Sequence, residues 1–134
     1  MTNLPLNPLA ILAAAGSAFV LGAIWYSPAL FYRPWLEGSG LTEAEARAGS
    51  PARIFGLAFL LTVAMALNLA AFLAGPPDVV WGVTAGLLAG FGWASLSLGV
   101  IYLFERRPLK HFVVNAGYLT TAFAVMGAIL GLWK

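Results

Sequence analysis

The sequence predicts an all-α membrane protein, with four transmembrane helices in one bundle and the N- and C-termini outside. Of the 134 residues, 61% are hydrophobic and only 9% are charged, and the mean hydropathy is +0.89. Soluble domains carry roughly a quarter charged residues, so this chain has too few charges to cover a globule in water. Lipid must therefore replace water around most of its surface.

Four uncharged stretches are each longer than the roughly 20 residues that a helix needs to cross the hydrocarbon core. They run from about 8 to 32, 54 to 77, 79 to 104 and 112 to 133. The turn at residues 75–78 is too short to separate domains. We therefore interpret residues 1–134 as a single four-helix transmembrane domain.

Residues that favour helix starts lie at the ends of these stretches. Ser50 before Pro51 is typical of an N-cap followed by proline in the first turn, and Asp78 can cap the third helix. Pro108 can open the fourth helix in the same way. Thr42 and Glu45 have the spacing of a capping box, which predicts a short cytoplasmic surface helix at about 43–48.

The distribution of basic residues predicts the orientation. Six of the seven Lys and Arg residues lie in the loops after the first and third stretches, and only Lys134 lies on the opposite side. By the positive-inside rule those two loops are cytoplasmic, and the N- and C-termini then face the outside. The six residues are Arg47 and five others that we also assign to lipid headgroup contact or topology: Arg33, Arg53, Arg106, Arg107 and Lys110.

Several runs of residues resemble a known family. They are GAIWYSPALF at 22–31, LFERRPLK at 103–110, NAGY at 115–118 and MGAILG at 126–131. In order and spacing they resemble the small bacterial membrane family catalogued as domain of unknown function 1761. The resemblance implies four helices in the inner membrane and brings no activity. Tyr32-Arg33 stands where that family usually has Gly-Lys, and Ile101 stands where Asn is common. If that Asn contributes to a polar site shared by the family, the site is reduced in this chain.

The charged residues exclude several functions. No Asp, Glu, Lys, Arg or His lies well inside a predicted span, and His111 lies at the start of the fourth. Ion-coupled carriers normally need an ionisable group within the membrane, which argues against a proton-coupled antiporter. Without cysteine and with one histidine, we expect no metal site, no cofactor and no catalytic residue. The few scattered basic residues also exclude nucleic acid as a partner.

The polar set around residues 105–111 has two interpretations. Anchoring of the cytoplasmic face, with basic side chains reaching lipid phosphates, is the interpretation we favour. A catalytic or headgroup-processing site is the alternative.

Glycines recur every four positions in the third and fourth spans. Such ridges let helix backbones approach closely. The ridge can pack within one chain, form a subunit interface, or line a permeation path. The predicted helix-packing residues are Gly82, Gly86, Gly90, Gly127 and Gly131.

Polar side chains in the cytoplasmic half of the spans form a second candidate set. Asn115 lies roughly 8 Å in from Lys110, at 1.5 Å per residue. Hydrogen bonds between helices are the favoured interpretation, with a small-molecule pocket as the alternative. We expect Asn115 to point into the bundle, because an unpaired amide in hydrocarbon costs several kcal/mol. The possible inner polar cluster comprises Tyr26, Thr62, Ser95, Ser97, Asn115, Tyr118 and Thr121.

These observations predict a non-catalytic, homo-oligomeric packing or partner-binding module. A passive channel or facilitator for a small neutral solute is the alternative, and an enzyme acting on lipid comes third. The expected partners are membrane lipid and further copies of the chain. The sequence leaves any protein or small-molecule partner open.

Overall fold

The computed structural model describes residues 6–134, and 81% of the chain is helical. No strand occurs in that range, so the all-α prediction is confirmed. Four helices are long and apolar enough to cross a membrane, as the sequence predicts. We call them the first to fourth spans; they comprise Pro8–Trp25, Pro51–Phe72, Val79–Glu105 and Leu109–Leu132. The N-terminal residues 1–5, predicted to lie outside, are not among the described residues.

The fourth span lies at the centre and packs mainly against the first and third spans. Its buried face includes Met126, which is fully enclosed. On the first span, Ala10, Ala14 and Ala18 recur every four residues and are all buried in the core that contains Met126. Because alanine is small, this spacing lets the two helices approach closely.

The second span is held more loosely. It packs mainly on the first span, where the rings of Phe19 and Phe59 meet edge to face at 5.3 Å. Most of its long apolar side chains are exposed; Leu60, for example, keeps 65% of its surface free. In a bilayer these side chains face lipid, as a membrane helix on the outside of a bundle should.

The first span is shorter than predicted. It was expected to continue to residue 32, but the helix ends at Trp25 and a turn follows. Pro28 explains the early end, because proline has no N–H to donate and disfavours helical geometry in the residue before it. The chain then forms a second helix, Tyr32–Ser39, which we call the interfacial helix and which the sequence analysis did not predict.

The other boundaries differ from the prediction by a few residues. The second span begins at Pro51 and ends at Phe72, before the turn that contains Gly75 and Pro76. The third span ends at Glu105 and the fourth begins at Leu109, directly after Pro108. The surface helix is Glu43–Arg47, with both hydrogen bonds of the Thr42–Glu45 capping box present. Ser50 and Asp78 cap the second and third spans as predicted.

The third span contains a wide turn that the sequence analysis did not predict. Residues Leu88–Ser95 form a π-helix between two α-helical parts. Ser95 is fully buried there, and its hydroxyl donates to the Gly90 carbonyl at 2.6 Å, five residues back. The hydroxyl oxygen also lies within 3.3 Å of the Thr120 hydroxyl oxygen on the fourth span. The hydroxyl thus links the widened turn to the centre of the bundle.

Candidate functional site

The loops after the first and third spans meet at one end of the bundle. Lys110 pairs with Glu37 of the interfacial helix, and the Arg107 guanidinium donates to the Ser39 and Gly38 carbonyls at the end of that helix. A cation at a helix C-terminus also interacts favourably with the helix dipole. The hydrogen bond from the Lys110 ammonium lowers the pKa of the Glu37 carboxyl below its usual value. These contacts fix the interfacial helix over the start of the fourth span.

Next to this end of the bundle, four polar side chains form what we call the inner polar network: Tyr26, Tyr102, His111 and Asn115. Tyr26 donates its hydroxyl proton to Asn115 Oδ1 at 2.6 Å, and Asn115 Nδ2 donates to the Tyr102 hydroxyl at 2.8 Å. Asn115 Nδ2 also lies 3.3 Å from His111 Nε2. Asn115 therefore points into the bundle and joins the end of the first span to the third.

His111 is the most enclosed member of the network, with 5% of its surface exposed. Its ring packs against Tyr102 in a tilted arrangement, with the ring centroids 5.0 Å apart, and Gly38 lies so close that a side chain there would meet the His111 ring. Its Nδ1 atom is buried and has no hydrogen-bond partner within residues 6–134. The imidazole thus fills the space between the interfacial helix and the fourth span.

The other predicted members of the inner polar cluster form no hydrogen bond with the network among the described residues. The Tyr118 ring packs at a tilt against Tyr26, with the centroids 5.4 Å apart, and its hydroxyl donates to the Ala18 carbonyl at 2.9 Å. Thr62 donates to Ala58 of its own helix, and Ser95 belongs to the π turn described above. Ser97 lies on the exposed side of the third span. Thr121 forms no hydrogen bond with the cluster in the part of the chain that the structure describes.

Tyr102 and His111 were not predicted as partners of Asn115, and neither was included in the predicted inner polar cluster. The spacing of His111, Asn115 and Tyr118, at i, i+4 and i+7, places all three on one helix face and was a usable signal. Trp25 adds a further link between the first and fourth spans, because its indole N–H donates to the Val114 carbonyl at 2.9 Å.

The predicted glycines bring the third and fourth spans into backbone contact, and we call this contact the glycine seam. A methyl group added at Gly82 would meet the Gly127 carbonyl, and one at Gly86 would meet the Phe123 carbonyl. One at Gly131 would lie 2.7 Å from the Asp78 carbonyl oxygen. All five predicted packing glycines face the partner span of the same chain. The seam therefore belongs to the packing of one protomer.

A lateral groove of about 760 Å³ separates the second and third spans. It is lined mainly by apolar groups, and we call it the outer groove. Asn68 of the second span lies in it, together with Leu88 and Trp93 of the third. Gly92 also lines it, and a methyl group added there would meet no atom within 4 Å.

A second space, of about 970 Å³, lies between the first, second and fourth spans, and we call it the inner cavity. Its mouth carries Tyr32, Trp35 and Arg47 from the loop after the first span. Its walls are mostly apolar and reach as far as Met65 and Met126. Three hydroxyl-bearing side chains also line it: Tyr26, Thr62 and Tyr118.

The basic residues of the two loops differ in their contacts. Arg107 and Lys110 make the internal contacts described above, and Arg47 pairs with Glu43. Arg33, Arg53 and Arg106 are exposed at the same end of the bundle. Arg106 adopts the left-handed conformation that ends the third span, with φ of 59°. Within residues 6–134, no three His, Asp or Glu side chains lie close enough together to hold a metal ion.

Comparison with known families gives one match. The family model described as "Protein of unknown function (DUF1761)" covers residues 9–131, nearly the whole chain. This match confirms the family resemblance found in the sequence runs. Neither a curated protein nor a solved structure matches the chain.

Proposed function

Since the chain belongs to the DUF1761 family of proteins of unknown function, no activity transfers to it, and we propose that it is a non-catalytic membrane module that binds a second copy of itself. One observation carries this proposal. Asn68 is exposed in the outer groove, roughly 6 Å from the end of the second span, and its amide has no side-chain partner within residues 6–134. The hydrocarbon core of the membrane holds no water, so an amide at this depth needs a hydrogen-bond partner from protein.

A second copy is a suitable partner for Asn68. A carboxamide is both donor and acceptor, so two Asn68 side chains can pair across a two-fold axis. Gly92 and the other groove residues leave space for a helix to approach. Hydrogen bonds of this kind between membrane helices contribute about 0.6 to 2 kcal/mol.

We expect Leu88→Cys to crosslink between copies. The chain has no cysteine, so a single introduced thiol reports on one position. Leu88 lines the groove and is 61% exposed, and a short bifunctional thiol reagent applied to membranes should give a covalent dimer. Adding Asn68→Leu should lower the dimer yield roughly tenfold at limiting protein density, because the amide pair is lost.

Leu103→Cys is the matched control. It lies on the same span, is 79% exposed and lies away from the groove, so it reports only random collisions. Equal crosslinking at Leu88 and Leu103 would contradict the proposal. A dimer yield that does not respond to Asn68→Leu would also contradict it.

Close packing argues against the alternative of a passive channel through one chain. The glycine seam brings two backbones into contact and leaves no path between the third and fourth spans. Phe123 and Met126 are buried beside it. The groups of the inner polar network bond mainly to one another, which supports a structural role over catalysis.

We further propose that the protein lies in a bacterial inner membrane, with the interfacial helix in the cytoplasm. The charge asymmetry supports this orientation. An alkaline-phosphatase fusion after Lys134 should be active, whereas one after Gly49 should be inactive. The reverse pattern of activities would overturn the orientation.

A further inference from the structure

The inner cavity has a consistent hydrogen-bonding character. The Tyr118 and Thr62 hydroxyls donate to the Ala18 and Ala58 carbonyls, which can only accept. Tyr26 donates to Asn115 Oδ1. All three hydroxyl protons are therefore already used, and each oxygen can still accept a hydrogen bond. The polar side of the cavity thus accepts hydrogen bonds and offers few donors.

Among the described residues, Arg47 is the only charged one that lines the cavity. Arg47 forms an ion pair with Glu43 at 2.6 Å, so its charge is balanced locally. An anionic head would have to compete with that carboxylate. A neutral head avoids this competition.

The cavity is also long. Its lining on the second span runs from Ile54 to Met65, which is about 16 Å at 1.5 Å per residue and roughly half of the 30 Å hydrocarbon core. Its volume lies at the upper end of the range for small-molecule sites, roughly 300 to 1,000 Å³. An extended apolar chain can occupy the part between Leu61 and Met126.

We propose that the inner cavity binds a neutral single-chain amphiphile whose head carries hydroxyl or amide hydrogen-bond donors. The donors bond to the Tyr26, Tyr118 and Thr62 oxygens, and the chain lies between the first and second spans. This site is separate from the outer groove. Its test is therefore independent of self-association.

The test compares two probes with the same chain. The protein is placed in nanodiscs of dioleoylphosphatidylcholine, whose headgroup has no hydrogen-bond donor. We add 1-monooleoylglycerol or methyl oleate, which lacks donors, and measure by native mass spectrometry the fraction of protein that carries one probe. We expect monooleoylglycerol to bind roughly tenfold more tightly. Equal binding of the two probes would overturn the proposal.

Two variants locate the bound probe. Thr62→Val removes one acceptor and keeps the shape, and should reduce the preference roughly threefold. Thr84→Val is its matched control, because Thr84 makes the same hydrogen bond within its helix, to Val80, away from the cavity. An equal change in both variants would contradict the assignment.

Ala58→Phe fills the cavity and should abolish the preference for monooleoylglycerol. Ala64→Phe lies on the outward side of the same span and should preserve it. Full binding in both phenylalanine variants would contradict the assignment. Thr62→Val decides the question if Ala58→Phe does not fold.

Discussion

Gly86→Ala should destabilise the protein by about 3 kcal/mol, although alanine is the better helix former. The added methyl group would meet the Phe123 carbonyl and lie 3.0 Å from the Ala124 Cα atom, and both belong to the backbone of the fourth span. Backbone cannot move aside as the end of a flexible side chain can, so the two spans must separate. The free energy of unfolding in mixed micelles of mild and denaturing detergent measures the effect.

Gly92→Ala is the matched control, because it makes the same change on the same span at a position with open space. There the methyl group should have little effect or stabilise the helix slightly. If both variants lose the same stability, the cost is a property of glycine in this helix. The glycine seam would then not be the closest contact.

The repeat of small residues was visible in the sequence because its period matches the helix. Gly82, Gly86 and Gly90 recur every four positions, and a ridge of this kind is useful only where another backbone approaches. The sequence could not tell whether that backbone belongs to the same chain. The choice depends on how the fourth span crosses the third, which is a property of tertiary packing.

The caps were predictable for a similar local reason. Ser50, Asp78 and the pair Thr42 and Glu45 act within three or four residues of themselves, so their effect needs no knowledge of the rest of the fold. Pro28 was equally local, but its effect was overlooked because the apolar stretch continues to Tyr32. Hydropathy gives the length that lipid can cover and does not give the point at which the helix ends.

The inner polar network and the π turn could not be read from local patterns alone. Asn115 bonds with residues 89 positions before it and 13 positions before it in the chain. In the wide turn at Leu88–Ser95, the Ser95 hydroxyl bonds to the Gly90 carbonyl and contacts Thr120 of the fourth span. Both features depend on which helices are neighbours. The sequence therefore predicted how far along the fourth span Asn115 lies and could not predict its hydrogen-bond partners.

Asn115→Leu should cost about 2 kcal/mol of stability in the isolated protomer. Leucine has a similar size, so the change removes hydrogen bonds and leaves little space. It leaves the Tyr26 hydroxyl without its acceptor and the Tyr102 hydroxyl without its amide donor. A polar group left unsatisfied in a buried site costs about 1 to 3 kcal/mol. Two hydroxyls lose a partner here, and because Asn115 is only half-buried we expect a total near the lower end of the range for two such groups. Unfolding of monomeric protein in detergent measures the loss.

The same change at Asn68 separates this role from a general effect of removing an amide from the membrane. Asn68 has no side-chain partner within residues 6–134, so Asn68→Leu should leave the stability of the protomer unchanged or raise it slightly, while weakening self-association. An equal loss at both positions would mean that the amides act through solvation and not through the network. A stable Asn115→Leu protein would mean that water reaches the Tyr26 and Tyr102 hydroxyls, because only water could replace the hydrogen bonds that the amide makes to them.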